Sequence, residues 1–197
     1  MIEETTYNID DLGSFDKEWL YHTDCNDWWY ATGYFDTEDG GRYSWQFNMN
    51  FVKVPGFEDM RPVVIQLALT DLANGEHHYR QKVSMDPDDV TVTADKVEFN
   101  DFMTCIKGAD GMHIETNHSL FQLNLDLTYG KGAFYHCDNG KLKMAVTDDP
   151  KETTYYYSYT NMPTTGTMSY KGKTCQVNGK SWFDKQGGTY SIGQQSN

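Results

Sequence analysis

Residues 43–52 read YSWQFNMNFV. In an extended chain, Trp45, Phe47, Met49 and Phe51 fall on one side and Gln46, Asn48 and Asn50 on the other. That period of two is the mark of a half-buried strand. Leu120–Leu127 repeats it, with Phe121, Leu123, Leu125 and Leu127 set against Gln122, Asn124 and Asp126. Trp28–Phe35 (WWYATGYF) is an aromatic strand, and Val63–Leu69 (VVIQLAL) is apolar enough for a strand covered on both faces. Further strands are expected at His77–Ser84, Val90–Thr93, Met112–Thr116, Lys141–Val146, Thr153–Thr160, Thr165–Tyr170, Thr174–Val177 and Lys180–Gln186. Between the runs stand Asp39-Gly40-Gly41, Asn74-Gly75, Asp110-Gly111, Asn139-Gly140 and Asn178-Gly179. These pairs tolerate the positive φ of tight hairpins. One short helix is expected at Ser14–Leu20, with Ser14 as its cap. The pattern predicts an all-β, antiparallel fold, a barrel or barrel-like sandwich with little helix.

The chain has 197 residues, enough for one domain. Its net charge of −13 repels phosphate, so neither nucleic acid nor an anionic membrane surface is an expected partner. Aromatic residues make up 15%, which excludes a disordered tail or linker. The opening MIEETTYNIDD has neither a basic nor an apolar region of a signal peptide, and no run is long enough for a membrane span. Localisation is otherwise unmarked, with the cytoplasm slightly favoured. Cys25, Cys105, Cys137 and Cys175 are far apart, without a CxxC, so zinc is not expected and buried free thiols are the favoured reading over two disulfides.

The common catalytic templates are missing: no GxSxG, HExxH or GxxxxGK[ST] occurs. His77 and His78 are adjacent, so on a strand they face opposite sides and only one can join a given site. His113 and Glu115 share a face but form a weak signal, better read as exposed polar surface. Two C-terminal segments carry more. Tyr155, Tyr157 and Tyr159 place three phenols on one strand face, and Trp182, Asp184 and Gln186 place one carboxyl beside a large indole. If that second face is interior, burial raises the Asp184 pKa and makes it an acid near neutrality. Against this stands the plainer reading, in which Asp184 faces solvent or caps a turn before Gly187-Gly188 and the aromatic stripe is core.

Four blocks, in order from residue 27 to 188, carry a family resemblance. Asp27-Trp28-Trp29-Tyr30-Ala31-Thr32-Gly33 resembles an EWWYxxG opening. Leu67-Ala68-Leu69-Thr70-Asp71 is followed by His77-His78-Tyr79, then by YYYS at 155–158 with Gly166-Thr167-Met168, and last by Val177–Gln186 (VNGKSWFDKQ). The chain resembles the lipocalin-like carotenoid hydratase (hydroxyneurosporene synthase) family, the CrtC/AttH-like group, whose relatives include kievitone-type hydratases and fungal Diels–Alder pericyclases. The resemblance implies a lipocalin-like barrel, two such domains in tandem in the family, and neither metal nor organic cofactor. It implies Asp184 as proton donor, with Trp182, Tyr155 and Tyr157 lining the pocket. Two departures stand out: Gly187 occupies a position where the family has Trp or another aromatic, and the sequence stops at Asn197, just past the motif.

Residues 1–26 are therefore expected to form an N-terminal extension packed on the barrel, and 27–197 a single lipocalin-like domain, with the family's second domain absent. The site is expected to be an interior pocket of Asp184, Trp182, Gln186, Tyr155, Tyr157, Trp28, Trp29, Trp45 and Phe47. The function expected is a cofactor-free enzyme on a hydrophobic small molecule, of hydratase, dehydratase or cyclase type. The alternatives are a non-catalytic binding protein for a small apolar ligand and, further off, a carbohydrate-binding β-domain. Apart from that ligand, the partner expected is a second copy of the chain or a separate second-domain subunit.

Overall fold

The structure is a computed structural model, and it describes residues 1–11, 15–54, 56, 60–144, 149 and 152–189. The strands in chain order are β1 (Glu4–Thr5), β2 (Tyr21–His22), β3 (Asn26–Thr37), β4 (Arg42–Phe51), β5 (Val63–Asp71), β6 (His77–Ser84), β7 (Val90–Val92) and β8 (Lys96–Phe99). They continue with β9 (Met103–Lys107), β10 (Gly111–Asn117), β11 (Phe121–Thr128), β12 (Ala133–Tyr135), β13 (Lys141–Lys143), β14 (Thr153–Tyr170) and β15 (Lys173–Gly188). Among the described residues, helix is confined to α1 (Phe15–Trp19) and 3-10 turns at Ile9–Asp11 and Pro87–Asp89. Among the described residues, no helix is long and apolar enough to cross a membrane.

One antiparallel sheet dominates, in the order β6-β5-β4-β3-β15-β14-β11-β10-β9-β8-β7, with β12 and β13 also paired to β14. Two meanders, β3–β6 and β7–β11, are joined edge to edge by the long β14–β15 hairpin. The outermost strands β6 and β7 are consecutive in the chain, separated only by residues 85–89. An extended chain reaches about 3.3–3.6 Å per residue, so these edges lie within about 20 Å of each other where they join. The sheet must curl, as a lipocalin-like barrel does. Contacts across the gap hold the curl: Lys82 Nζ lies 4.2 Å from the centre of the Phe102 ring, and His78 Nε2 lies 2.8 Å from the Tyr170 hydroxyl.

The alternation of the sequence dictates the core. Trp45, Phe47, Met49 and Phe51 of β4 are buried, as are Phe121, Leu123, Leu125 and Leu127 of β11. β5 differs from the expectation of two covered faces. Val63, Ile65, Leu67 and Leu69 are buried, but Val64 and Gln66 on the other face are only half-buried. The N-terminal segment reaches into the same core. Trp19 is fully buried, stacks on Phe183 at 5.7 Å, and donates its indole N–H to the Thr93 carbonyl at 3.0 Å.

Two expected breaks are continuous strand. The 153–160 and 165–170 runs are one strand, β14, with a register shift between Tyr159 and Met162 at Asn161, which adopts a φ of 53°. Asn178-Gly179 is no hairpin tip but lies inside β15. A Cβ on Gly179 would meet the Tyr34 carbonyl oxygen at 2.0 Å, so glycine there serves close strand approach. The turn is made instead by Lys171-Gly172, with φ of 51° and 77°, as a two-residue hairpin loop of this kind requires. The helix forms over Phe15–Trp19, and its expected cap Ser14 lies outside the described residues, as do positions 145 and 146 of the strand expected at 141–146.

All four cysteines are free thiols. Cys25, Cys105 and Cys175 are buried, and burial pushes the Cys25 and Cys105 thiols well up, while Cys137 is exposed on a turn. A thiol reagent such as DTNB should therefore modify one cysteine quickly in the native protein and all four in denaturant. Two or more fast native thiols would contradict the packing.

Candidate functional site

The register decides which side chains can meet. β15 pairs with β3 without interruption from Val177↔Thr37 to Gly188↔Asn26. Strict alternation along β15 sends Phe183 and Lys185 into the core and Trp182, Asp184 and Gln186 to the opposite, outer face. On β14, Tyr155, Tyr157 and Tyr159 point inward and Tyr156 and Ser158 outward. Trp29 of β3 and Trp45 and Phe47 of β4 are inside, whereas Trp28 and Tyr30 are outside. The single interior pocket expected from the sequence is thus divided by the sheet. Tyr155, Tyr157, Trp29, Trp45 and Phe47 are core, each at most 2% exposed. Asp184, Trp182, Gln186 and Trp28 lie across the backbone from them. The barrel interior is filled by these aromatic rings, so the site of interest moves to the outer face.

The inner face carries a charged cluster that sequence reading missed. The Lys185 ammonium bonds the Asp27 carboxylate and reaches the Tyr155 hydroxyl at 2.6 Å. It sits 4.1 Å from the centre of the Trp29 ring. Asp27 Oδ2 faces His22 Nδ1 at 3.0 Å, and His22 Nε2 faces Glu18 Oε2 at 2.9 Å. With a carboxylate at each ring nitrogen, His22 is an imidazolium, since only that form donates from both. Two cations then balance two anions.

Burial pushes the His22 pKa down, but Asp27 and Glu18 outweigh it and hold the imidazole above its ordinary value. Burial likewise pushes Asp27 up, yet Lys185 and His22 bring it below the usual carboxylate range. For Lys185 burial wins, and its pKa is lowered despite Asp27. Glu18, the most accessible member, is 3% exposed, so no substrate touches this cluster without opening the fold. Its role is to clamp α1, β2, β3, β14 and β15 together.

The clamp explains Gly187. Glycine here faces inward between Tyr155 and Asp27, and a Cβ would lie 2.6 Å from the Tyr155 hydroxyl and 2.7 Å from the Asn26 carbonyl oxygen. An aromatic side chain at this position cannot coexist with the cluster. The sequence signals for the clamp were the Glu18/His22 spacing of four and Gly187 itself.

Asp184 occupies the centre of the outer face and is 8% exposed. Its carboxylate Oδ1 accepts hydrogen bonds from the Ser158 hydroxyl and, at 2.5 Å, from the Trp182 indole N–H. Tyr156 also hydrogen-bonds the carboxyl. His136 Nε2 lies 2.7 Å from Ser158 Oγ, and the imidazole stacks on Tyr156 at 3.9 Å with 14° between the rings. Burial raises the Asp184 pKa; the bonds from Ser158, Trp182 and Tyr156 and the field of His136 only partly offset it. Across β15 lies a groove of about 410 Å³ whose walls include Trp28, Tyr30, Asn48, Asn50 and Gln66. Tyr30 is the register partner of Asp184 and Trp28 that of Gln186. Gln186 itself is buried, its amide bonded to Thr154 Oγ1 at 3.2 Å. A desolvated carboxyl thus stands between an aromatic groove on one side and a histidine–serine pair on the other.

A family model described as AttH-like matches residues 10–197. The crystal structure of an AttH from Nitrosomonas europaea superposes with a TM-score of 0.83 at 21% identity, covering 95% of this chain and 59% of that one. Kievitone hydratase from Nectria haematococca gives 0.68 at 16% identity, covering 95% and 56%. This chain therefore spans just over half the length of these two structures, and at such identities the likeness is one of fold. No curated protein matches the sequence.

The clamp sets a pH dependence. The raised pKa of His22 adds stability that is complete below about pH 6.5 and lost as pH rises through the folded value. The lowered Asp27 adds stability present above its unfolded value and lost as pH falls through the folded one. In urea denaturation, His22→Gln should flatten the alkaline fall, and Asp27→Ala should cost about 3–5 kcal/mol by leaving buried charge unpaired. An unchanged alkaline limb in His22→Gln would show the imidazole neutral. Gly187→Ala should lower stability by about 1–3 kcal/mol through overpacking, read as a drop in Tm.

Proposed function

The chain belongs to the AttH-like family, and from that premise we propose that it is a hydratase- or dehydratase-type enzyme acting on a hydrophobic small molecule, with Asp184 as its general acid. One observation carries the reading: a carboxyl whose pKa is raised by burial lies one strand away from an aromatic groove of about 410 Å³, and its register partner Tyr30 forms part of that groove's wall. A kievitone hydratase among solved structures of the same fold supports the reaction class. Trp28 and Tyr30 offer ring faces to an apolar substrate, while Asn48, Asn50 and Gln66 meet its polar groups.

The chemistry follows from the placement. Because Ser158 and Trp182 both donate to Oδ1, the acid proton resides on Oδ2. Transfer of that proton to one carbon of an alkene forms a C–H bond from the π electrons and leaves a cation on the other carbon. The electron-rich faces of Trp28 and Tyr30 stabilise it. Water then forms the C–O bond and releases a proton, so alkene and water give an alcohol. Dehydration is the same path reversed. Trp182, Ser158 and Tyr156 fix the plane of the carboxyl, so its orientation is set before substrate arrives. A second copy of the chain or a separate second-domain subunit laid over the outer face would exclude water from the groove and strengthen each of these interactions. A cyclisation started by the same protonation is the variant in which an internal alkene replaces water.

Asp184→Asn keeps the shape and removes the proton. Turnover of an isoprenoid-substituted phenol such as kievitone, or of a polyene, should fall by about 10²–10⁴-fold, with binding followed by tryptophan fluorescence nearly unchanged. Wild-type kcat should decline as pH rises through the raised Asp184 pKa, where the acid form is lost. Ligand binding without turnover in the wild type, across prenylated phenols and polyenes, would leave a small-molecule binding protein instead.

A further inference from the structure

A buried acid that spends its proton must recover it, and a ligand in the groove closes the groove side of Asp184. The sheet order β4-β3-β15-β14-β12 puts the groove on one side of the carboxyl and Ser158 and His136 on the other. Ser158 is fully buried and its hydroxyl hydrogen is committed to Asp184 Oδ1. The 2.7 Å contact from His136 Nε2 to Ser158 Oγ must then be donated by the imidazole, because the serine has no second hydrogen to give. His136 is half-buried, is held flat against Tyr156, and leads directly into the exposed turn Cys137–Asn139. The chain of donors therefore runs in one direction, from solvent through imidazole and hydroxyl to carboxylate.

We propose that His136 and Ser158 form a proton relay that recharges Asp184 from the side of the carboxyl away from the groove, along the same face of the sheet. The proposal rests on the reading of Asp184 as an acid and adds the route by which its proton returns. After protonation of substrate, Asp184 is a carboxylate. His136 takes a proton from solvent at Nδ1 and becomes an imidazolium. It passes the Nε2 proton to Ser158 Oγ while the serine hydroxyl proton crosses to Asp184 Oδ1, and a half-turn of the carboxyl group then carries that proton to the groove side and returns an unprotonated oxygen to Ser158 and Trp182. The products are a neutral imidazole protonated at Nδ1, an unchanged serine and a carboxylic acid, so charge and protons balance. In the dehydration direction the same path carries the proton outward. His136 and Ser158 touch no substrate in this scheme. They are positioning and relay residues, and the Tyr156 ring fixes the imidazole plane that makes the Nε2 contact.

Two measurements on the full chain test it. The first needs no substrate: with Asp184 in its carboxylate form, ¹⁵N-histidine NMR should find neutral His136 protonated at Nε2 in wild type and Ser158→Thr, and no longer held in that tautomer in Ser158→Ala. A neutral His136 tautomer identical in wild type and Ser158→Ala overturns the relay. The second is hydration of kievitone. His136→Gln and Ser158→Ala should each lower kcat by about 10²-fold with KM unchanged, Ser158→Thr should recover most of it, and added imidazole should rescue His136→Gly. Full kcat in His136→Gln alongside an inactive Asp184→Asn overturns the relay and leaves the acid in place. Wild-type kcat in Asp184→Asn overturns the acid reading, and the relay with it.

Discussion

The ion pair between Lys185 and Asp27 holds the register on which everything else depends. Both side chains are fully buried, and an unpaired charge there would cost several kcal/mol. The pair is tolerable because Tyr155, His22 and Glu18 satisfy the remaining donors and acceptors. Its partners are 158 residues apart, so it is also the tie between the first long strand and the last. A slip of one residue between β3 and β15 would turn Lys185 to the outer face and bring Asp184 inside. The charge that must stay in the core thus keeps the carboxyl of Asp184 on the face where a groove lies beside it.

A barrel of this size has room either for its own side chains or for a ligand, and this one has chosen the former. Trp19, Trp29, Trp45, Phe47, Tyr155, Tyr157 and Phe183 fill the interior with essentially no exposure. The outer face of β14, β15, β3 and β4 is unusually built for a solvent side. It carries half-buried Trp28, Tyr30, Tyr156 and Trp182, interleaved with Asn48, Asn50 and Gln66. Rings and amides in alternating rows are suited to an amphipathic molecule, with apolar stacking set by β3 and hydrogen bonding by β4 and β5.

The strands were legible because period two survives almost everywhere, and most hairpin tips because glycine and asparagine mark positive φ. The long strands were harder. Asn178-Gly179 carries a hairpin signature, yet its glycine answers a steric demand from Tyr34, a residue on another strand that no local pattern reveals. The grouping of Trp182, Asp184 and Gln186 on one face was visible, but the choice of face was not. Hydropathy favours putting Trp182 inside and Lys185 outside, and only partners distant in sequence reverse that preference. His136 and Ser158 escaped notice for the same reason: twenty-two residues separate them, and their meeting is set by how β12 lies along β14.

The strand order also has a consequence for how the molecule comes into being. β3 leaves the ribosome before either of the strands it pairs with, and it soon finds β4 on one side. Its other side waits for β15, almost the whole chain later. At about 5–20 residues per second, that strand stays an open edge for roughly ten seconds or more, carrying Trp28 and Trp29 with nothing to pair against. Pairings between chain ends form slowly in any case. The nascent protein therefore passes through a long interval as a half-sheet with an aromatic rim. Its yield in a cell depends on what shields that rim until the last strand arrives.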